Sequence, residues 1–289
     1  MENIGYYNGV TGPIEEMTIP MNDRVVYFGD GVYDATYAVN HVIFAIEDHI
    51  DRFFNSFAKL EIPFAMTKGE LAKTLQDTVD KVDNTRSLMV YWQTTRGTGM
   101  RSHAFPGKDV PANLLITIRP LPLRAIDRKY KLITMEDTRF LHCDIKTLNL
   151  IPSVMASQRA KEAGCDETIF HRGPIVTECA HSNVSIIKDG VFRTAPLSNL
   201  ILPGTARKHL IRLAEAKGIP TNETAFTVDE LMDADEIIVS SAGTLCNAAN
   251  EVDGKPVGGK APEVLKKLQD AAVADFEAYT KVRFADYAK

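Results

Sequence analysis

Apolar residues recur at Ile50, Phe53, Phe54, Phe57 and Leu60, a helical period with one apolar face. Glu47 and Asp48 precede it, where the helix dipole favours acids. The spacing predicts a core-facing helix opening there. Leu71 to Val82 repeats the period and predicts a second amphipathic helix. Around them the pattern is that of strands: β-rich runs from Tyr33 to Ile46 on either side of Asn40-His41 predict a hairpin, and Tyr6-Tyr7-Asn8-Gly9 carries a turn signal. Ser87 to Thr95 and Asn113 to Arg119 are strand candidates flanking a loop rich in Gly, Arg and Pro. The first part of the chain therefore predicts an α+β sandwich.

The run Arg119-Pro120-Leu121-Pro122-Leu123-Arg124 is predicted to end that part, because two prolines remove backbone donors and fix φ. The expected organisation is an N-terminal α+β domain over 1–119, a linker over 120–125 and a C-terminal α/β domain over 126–289. The second domain offers a strand near Lys131 to Met135, a helix from Ser153 to Ala163 closed by Gly164, and strands at Glu167 to His171 and Asn183 to Ile187. A Lys188-Asp189-Gly190 turn closes another hairpin. Pro203-Gly204-Thr205 opens a helix that ends at Gly218, and an Ala- and Lys-rich helix starts at Pro262.

Charge narrows the partners. Lys plus Arg total 33 against 38 Asp plus Glu, a net charge of -5, so no global positive field is present to hold a nucleic acid or an anionic membrane. Apolar runs such as Leu114-Leu115-Ile116 and Ile237-Ile238-Val239 are far short of the ~20 residues of a membrane-spanning helix. Met1-Glu2-Asn3-Ile4-Gly5 carries an acid where a secretory signal carries Lys or Arg, which predicts a cytoplasmic protein. Cys143, Cys165, Cys179 and Cys246 are scattered without a C-x-x-C pair, as expected of reduced thiols and of no structural metal.

Common motifs are mostly absent. Gly97-x-Gly99 lacks the third glycine of a dinucleotide fingerprint, and neither a G-x-x-x-x-G-K-[ST] nor an H-E-x-x-H occurs. Ser56-Phe57-Ala58-Lys59 matches S-x-x-K, but on the aromatic face of a predicted helix and without a K-T-G partner. The seven histidines fall singly and none suggests a metal. Lys146 is flanked by Ile145 and Leu148, and a desolvated amine there could serve as a Schiff-base nucleophile. The plainer alternative is that it snorkels or pairs with an acid. Glu178 stands at a predicted strand end, where a solvated carboxylate is the default. Gly204-Thr205-Ala206-Arg207 opens a helix whose free N–H groups suit a phosphate, or is an ordinary cap. Arg101-Ser102-His103, in a Gly- and Pro-flanked loop, could clasp a carboxylate or simply be a polar surface. Together these are the parts of a pyridoxal-phosphate enzyme.

Read in order, five segments resemble the class IV aminotransferase family, the fold shared by D-amino-acid and branched-chain aminotransferases and aminodeoxychorismate lyase. They are Phe28-Gly29-Asp30-Gly31-Val32-Tyr33-Asp34, Glu47-Asp48-His49-Ile50-Asp51-Arg52, Cys143 to Asn149, Val176-Thr177-Glu178 with Ser182-Asn183, and Leu202 to Arg207. The resemblance spans nearly the whole chain. It implies the two-domain α+β and α/β fold with the cofactor, pyridoxal 5'-phosphate, between the domains. By it, Lys146 would form the internal aldimine and move the proton between Cα and C4′, and Glu178 would keep the pyridine nitrogen protonated. Arg52, the backbone at Thr205 and Ala206, and the turn at Ser241-Ala242 would hold the phosphate.

Within the family, the setting T-R-G-x-x-x-R-x-H-x-F-P around Arg101 and His103 looks like the D-amino-acid branch. There the pair belongs to a loop of the neighbouring subunit and, with Tyr33, traps the substrate α-carboxylate, with Tyr91 nearby. This implies a homodimer and reversible amino transfer between D-alanine and 2-oxoglutarate, in a bacterial setting where D-amino acids feed the cell wall. Three departures stand out. Cys179-Ala180-His181 replaces a small Ser-rich run, Gly204-Thr205-Ala206-Arg207 replaces Gly-Ile-Thr-Arg, and Ser241-Ala242-Gly243 replaces Ser-Thr-Thr, so two phosphate-cup hydroxyls are missing while the amides remain. The same fold also carries branched-chain L-aminotransferases, (R)-amine transaminases and lyases. A non-catalytic cofactor binder is the rival from another class.

Overall fold

In the computed structural model, which describes residues 2–83 and 85–289, the chain divides into two compact units. The first holds the residues up to Leu123 together with Ile145–Asn149 and Tyr279–Tyr287. Its elements are β1 (Ile4–Tyr7), β2 (Val10–Gly12), α1 (Arg24–Phe28), β3 (Gly31–Val39), β4 (Val42–Ile43), α2 (Ile46–Lys59), α3 (Lys68–Val79), β5 (Leu88–Thr95) and β6 (Asn113–Pro120). The strands form one antiparallel sheet in the order β2-β1-β6-β5-β3-β4. Asn40 and His41 both adopt positive φ, as a two-residue turn between β3 and β4 requires.

Helices α2 and α3 bury their apolar faces in this unit's core, where Phe53, Leu71, Leu75, Trp92 and Ile116 are all buried. Phe53 meets the rings of Phe57, Phe64 and Trp92 edge-on at 5.7, 5.6 and 6.1 Å. Such aromatic pairs stabilise by about 0.5–1.5 kcal/mol beyond their buried area. α3 starts three residues earlier than its apolar period suggests. Thr67 and Glu70 form a reciprocal capping box, with Glu70 N donating to Thr67 Oγ1 at 3.2 Å and Thr67 N to Glu70 Oε2 at 2.8 Å.

The second unit holds Arg124–Asp144, Leu150–Ala278 and Ala288–Lys289. Its elements are β7 (Tyr130–Glu136), α4 (Ile151–Glu162), β8 (Glu167–Arg172), β9 (Ile175–Cys179), β10 (Asn183–Lys188), β11 (Val191–Thr194), α5 (Thr205–Ala216), β12 (Thr221–Asn222), α6 (Val228–Met232), β13 (Glu236–Ser240), β14 (Asn247–Val252), β15 (Lys255–Pro256) and α7 (Pro262–Thr280), whose last two residues group with the first unit. The sheet runs β12-β11-β10-β13-β14-β7-β8-β9, with β15 on β14. β7 lies parallel to β14 and β8, and the crossover to β8 carries α4, as a parallel pair demands. Leu132, Ile169, Val184, Ile237 and Val239 form its core. Among the described residues no helix is long and apolar enough to cross a membrane.

Two sequence expectations need correction. Pro120 is not linker but the end of β6, paired with Leu88 just after Arg119 pairs with Met89. β1 reaches only Ile118, so the donor that Pro120 lacks has no ladder partner to lose. The segment with Lys146, expected in the C-terminal domain, groups with the first unit. Tyr33 N donates to Lys146 O at 2.9 Å and Leu148 N to Gly31 O at 3.1 Å, and Val32 bridges Thr147. The segment is thus stitched to the start of β3. Tyr279–Tyr287 also returns there: Tyr279 donates its hydroxyl to Glu47 at 2.8 Å, and Leu123 N reaches Tyr287 O at 3.1 Å.

Candidate active site

In the first unit the site begins at Gly31. A Cβ there would collide with Thr94 O and the Leu148 side chain, so only glycine lets β5, β3 and the Lys146 segment lie this close. Lys146 N donates to Ser56 Oγ at 3.2 Å, which gives the serine of the apparent S-x-x-K a backbone-holding role. The half-buried Lys146 amine lies 4.3 Å from the centroid of the Tyr33 ring. Among the described residues it forms no ion pair. Tyr33 stacks on Tyr91, centroids 5.4 Å apart, and the β3–β5 register sets both on one face of the sheet. Tyr91 donates its hydroxyl to Gln93 at 2.8 Å, and burial pushes its phenol upward, so it stays protonated.

Arg52 sits one helical turn from His49 on α2, and both converge on Asp34. Arg52 Nε and Nη2 donate to Asp34 Oδ2 and Oδ1 at 2.8 and 2.6 Å, and His49 Nδ1 donates to Oδ1 at 2.8 Å. Asp34 is wholly buried. Burial would raise its carboxyl, but the charge of Arg52 and the hydrogen bonds from His49 and Arg52 outweigh it and hold the group well below the usual carboxylate range. Burial drives His49 down against the pull of Asp34, aided by the positive Arg52 and Lys146. The imidazole is therefore neutral at physiological pH.

Arg101 and His103 lie on the exposed loop after β5. They bracket Phe28, Arg101 at 5.2 Å and His103 at 5.3 Å from its ring. The loop is fastened by buried Arg24, which donates to Ser102 O at 2.7 Å and Ala104 O at 3.2 Å and pairs with Asp30 at 2.7 Å. Among the described residues no hydrogen bond or ring contact joins Arg101 or His103 to Tyr33, Tyr91 or Lys146. Within one chain the expected carboxylate clamp is not assembled.

In the second unit Glu178 is buried near the end of β9. Its Oε1 accepts from Arg139 Nη1 at 2.5 Å, and its Oε2 accepts from Asn183 Nδ2 and Leu202 N, each at 3.0 Å. A shell made of donors suits the ionised, acceptor-only carboxylate. Asn183 also donates to Leu202 O at 3.1 Å, tying Glu178 to the entrance of α5. A Cβ on Gly204 would strike Asn183 Oδ1, so any larger residue there would force Asn183 to shift. No side chain caps α5, and the amides of Thr205, Ala206 and Arg207 are not used by the helix itself. Thr205 is buried, and Arg207 turns inward to Ala195 O and Glu223. Ser241 Oγ bonds Thr244 Oγ1 at 2.7 Å beside Ala242, while the neighbouring Ser240 hydroxyl is buried without a partner among the described residues. His181, largely exposed, pairs with buried Glu167 at 2.6 Å.

Sequence reasoning gave no role to Asp34, His49 and Asn183, although they lie in the family-like segments, and missed Arg139. The i, i+3 pairing of His49 with Arg52 was a usable signal. For Arg139 there was none, since a lone arginine after β7 reads as a surface cation. Among the described residues no group of three or more His, Cys, Asp or Glu could hold a metal ion.

A family model described as amino-transferase class IV matches residues 31–252. The chain is 36% identical over 268 residues to a D-alanine aminotransferase of Staphylococcus haemolyticus, covering 92% of this chain and 95% of that protein. It is 38% identical over 267 residues to a D-alanine aminotransferase of Listeria monocytogenes, covering 90% and 92%. Among solved structures, a branched-chain amino acid aminotransferase of Escherichia coli superposes with a TM-score of 0.86 at 21% identity, over 100% of this chain and 99% of that one. A branched-chain aminotransferase of the archaeon Thermoproteus uzoniensis, solved with norvaline, gives 0.84 at 22%, over 96% and 97%. At these identities the structural likeness speaks for the fold.

Proposed function

The chain belongs to the class IV aminotransferases, and from that premise we propose that it is a D-amino-acid transaminase using pyridoxal 5'-phosphate. It interconverts D-alanine and 2-oxoglutarate with pyruvate and D-glutamate. The observation that carries this reading is the Lys146 amine, half-buried over the Tyr33 ring and free of any carboxylate among the described residues. An amine already paired with an acid would have to break that pair before reacting.

The residues present fit the cofactor. The uncapped start of α5 and the Ser240 hydroxyl beside the Ser241-Ala242 turn supply donors that no group among the described residues uses, as a phosphate requires. Bound pyridoxal phosphate supplies a carbonyl that condenses with amines and a ring that takes up the electron pair left when a Cα–H bond breaks. Lys146 is the amine that holds it. Its Nζ, once free, would take up the proton released from the substrate Cα and hold it for return during the transfer. Glu178, held by donors from Arg139, Asn183 and Leu202, is an ionised acceptor that would keep the ring nitrogen protonated. Arg52 and the amides of Thr205, Ala206 and Ala242, with Ser241, hold the phosphate. Tyr33 and Tyr91 line the substrate side of the lysine.

Arg101 and His103 hold the substrate α-carboxylate in the active site of a second subunit, so the working form is a homodimer. Their exposed position, and the lack among the described residues of a hydrogen bond or ring contact to their own chain's Lys146, support this. The test is chemical mapping. Borohydride reduction of the holoenzyme followed by peptide mass spectrometry should find the cofactor mass on the peptide containing Lys146, and Lys146→Ala should lose both that mass and transamination. A label on another lysine would move the base elsewhere.

A further inference from the structure

We propose that Arg139 is a positioning residue for the reaction: clamped by Asp137, it fixes Glu178 in its ionised form and so sets how firmly that carboxylate holds a proton on the cofactor's ring nitrogen. The proposal rests on the reading of Glu178 as the partner of that nitrogen.

The guanidinium is oriented without any help from Glu178. Its side chain is 12% exposed, and Nε and Nη2 grip Asp137 Oδ1 and Oδ2 at 2.9 Å each. Nη2 also reaches Leu200 O at 3.2 Å, and Cζ lies 4.8 Å from the Phe170 ring centroid. Asp137 is held in turn: Arg139 N donates to Oδ1 at 3.0 Å, while Arg172 Nε and Thr177 Oγ1 donate to Oδ2 at 3.2 and 3.1 Å. These contacts fix the plane of the fork. They leave Nη1 aimed at Glu178 Oε1, 2.5 Å away.

The four charged groups of this cluster balance, two guanidinium ions against two carboxylates. Without Arg139, Asp137 and Glu178 lose the cation that both contact, and a buried carboxylate that loses a neighbouring cation shifts toward its protonated form. A protonated Glu178 no longer supports a proton on the ring nitrogen, and the ring becomes a weaker acceptor of electrons. Burial opposes the charge of Arg139, but Asp137 and Glu178 outweigh it, so the guanidinium stays charged. Lysine is a poor substitute, because one ammonium cannot grip Asp137 at two oxygens while presenting a third donor to Glu178.

The experiment compares wild type, Arg139→Gln, Arg139→Lys and Glu178→Gln as holoenzymes loaded with cofactor ¹⁵N-labelled at the ring nitrogen. The nitrogen chemical shift is read alongside the D-alanine half-reaction. Arg139→Gln should move the nitrogen signal toward the unprotonated value and slow the half-reaction about 10- to 100-fold, with KM for D-alanine changing less than about threefold. Arg139→Lys should fall between it and wild type. Should Arg139→Gln not fold, Arg139→Lys decides alone: a shifted signal with a rate about 3- to 10-fold lower supports the proposal, and wild-type values overturn it. A normal signal and rate in Arg139→Gln, with both altered in Glu178→Gln, overturns the role of Arg139 alone. A normal nitrogen signal in Glu178→Gln overturns the reading of Glu178 beneath it.

Discussion

Asp34→Asn removes one charge and keeps the shape of the side chain. In the native protein Asp34 has no exposed surface, the Arg52 side chain is 10% exposed, and three contacts of 2.6 to 2.8 Å join Asp34 to Arg52 and His49. Taking one partner from a buried ion pair costs about 3–5 kcal/mol, because the remaining charge stays out of water uncompensated. At about 2–4 °C per kcal/mol for a protein of this size class, the apoprotein should melt roughly 6–20 °C lower. A phosphate anion at Arg52 would replace the missing charge. Inorganic phosphate should therefore raise the melting temperature of the variant more than that of wild type. The pH dependence has a definite sign. The folded-state carboxyl is depressed, so its contribution is fully present above the unfolded value of about 3.9 and is lost as pH falls through the folded one. The gap between the two proteins should be constant from pH 8 to 5 and close only in strong acid. Thermal unfolding followed by circular dichroism, with and without phosphate, reads all three. A loss under about 2 °C would refute the energetic argument, and equal phosphate shifts would separate Arg52 from the phosphate site.

Arg101→Ala should raise KM for D-alanine about 10- to 100-fold, the loss of one charge-assisted hydrogen bond of about 1.5–3 kcal/mol, while the visible spectrum of the holoenzyme stays unchanged. Steady-state kinetics with wild-type KM would remove Arg101 from the carboxylate clamp. Gly204→Ala pushes a methyl group into Asn183, and overpacking of this kind costs about 1–3 kcal/mol. Both the melting temperature and the affinity for cofactor, measured by equilibrium dialysis, should fall. Undiminished cofactor affinity would detach the entrance of α5 from the phosphate.

Much of the fold was legible because its local signals agree with its burial. The period of Ile50, Phe53, Phe57 and Leu60 gives α2, and the turn residues Asn40-His41 mark the β3–β4 hairpin. The start of α3 was written in Thr67-x-x-Glu70, a cap that an apolar period does not register. Less legible were features that depend on contacts between distant segments. Nothing local in Ile145–Asn149 says that its backbone bonds to β3, and so the lysine was assigned to the wrong unit. In the site, Lys146 and Glu178 could be picked out by their place in family-like segments, since residue type and setting alone read as a snorkelling lysine and a solvated carboxylate. Arg139 could not, because its meaning comes from Asp137 and Glu178 closing around it.

The central claim is a transaminase that takes D-alanine through Lys146. Its most direct test is the isolated half-reaction: D-alanine, L-leucine or (R)-1-phenylethylamine is added separately to the purified holoenzyme, and the absorbance of the lysine-bound cofactor is followed. D-Alanine alone should bleach that band and release pyruvate in equal amount to enzyme sites. Conversion by L-leucine or the amine in place of D-alanine would contradict the stereochemical assignment, and no conversion by any of the three would contradict transamination itself.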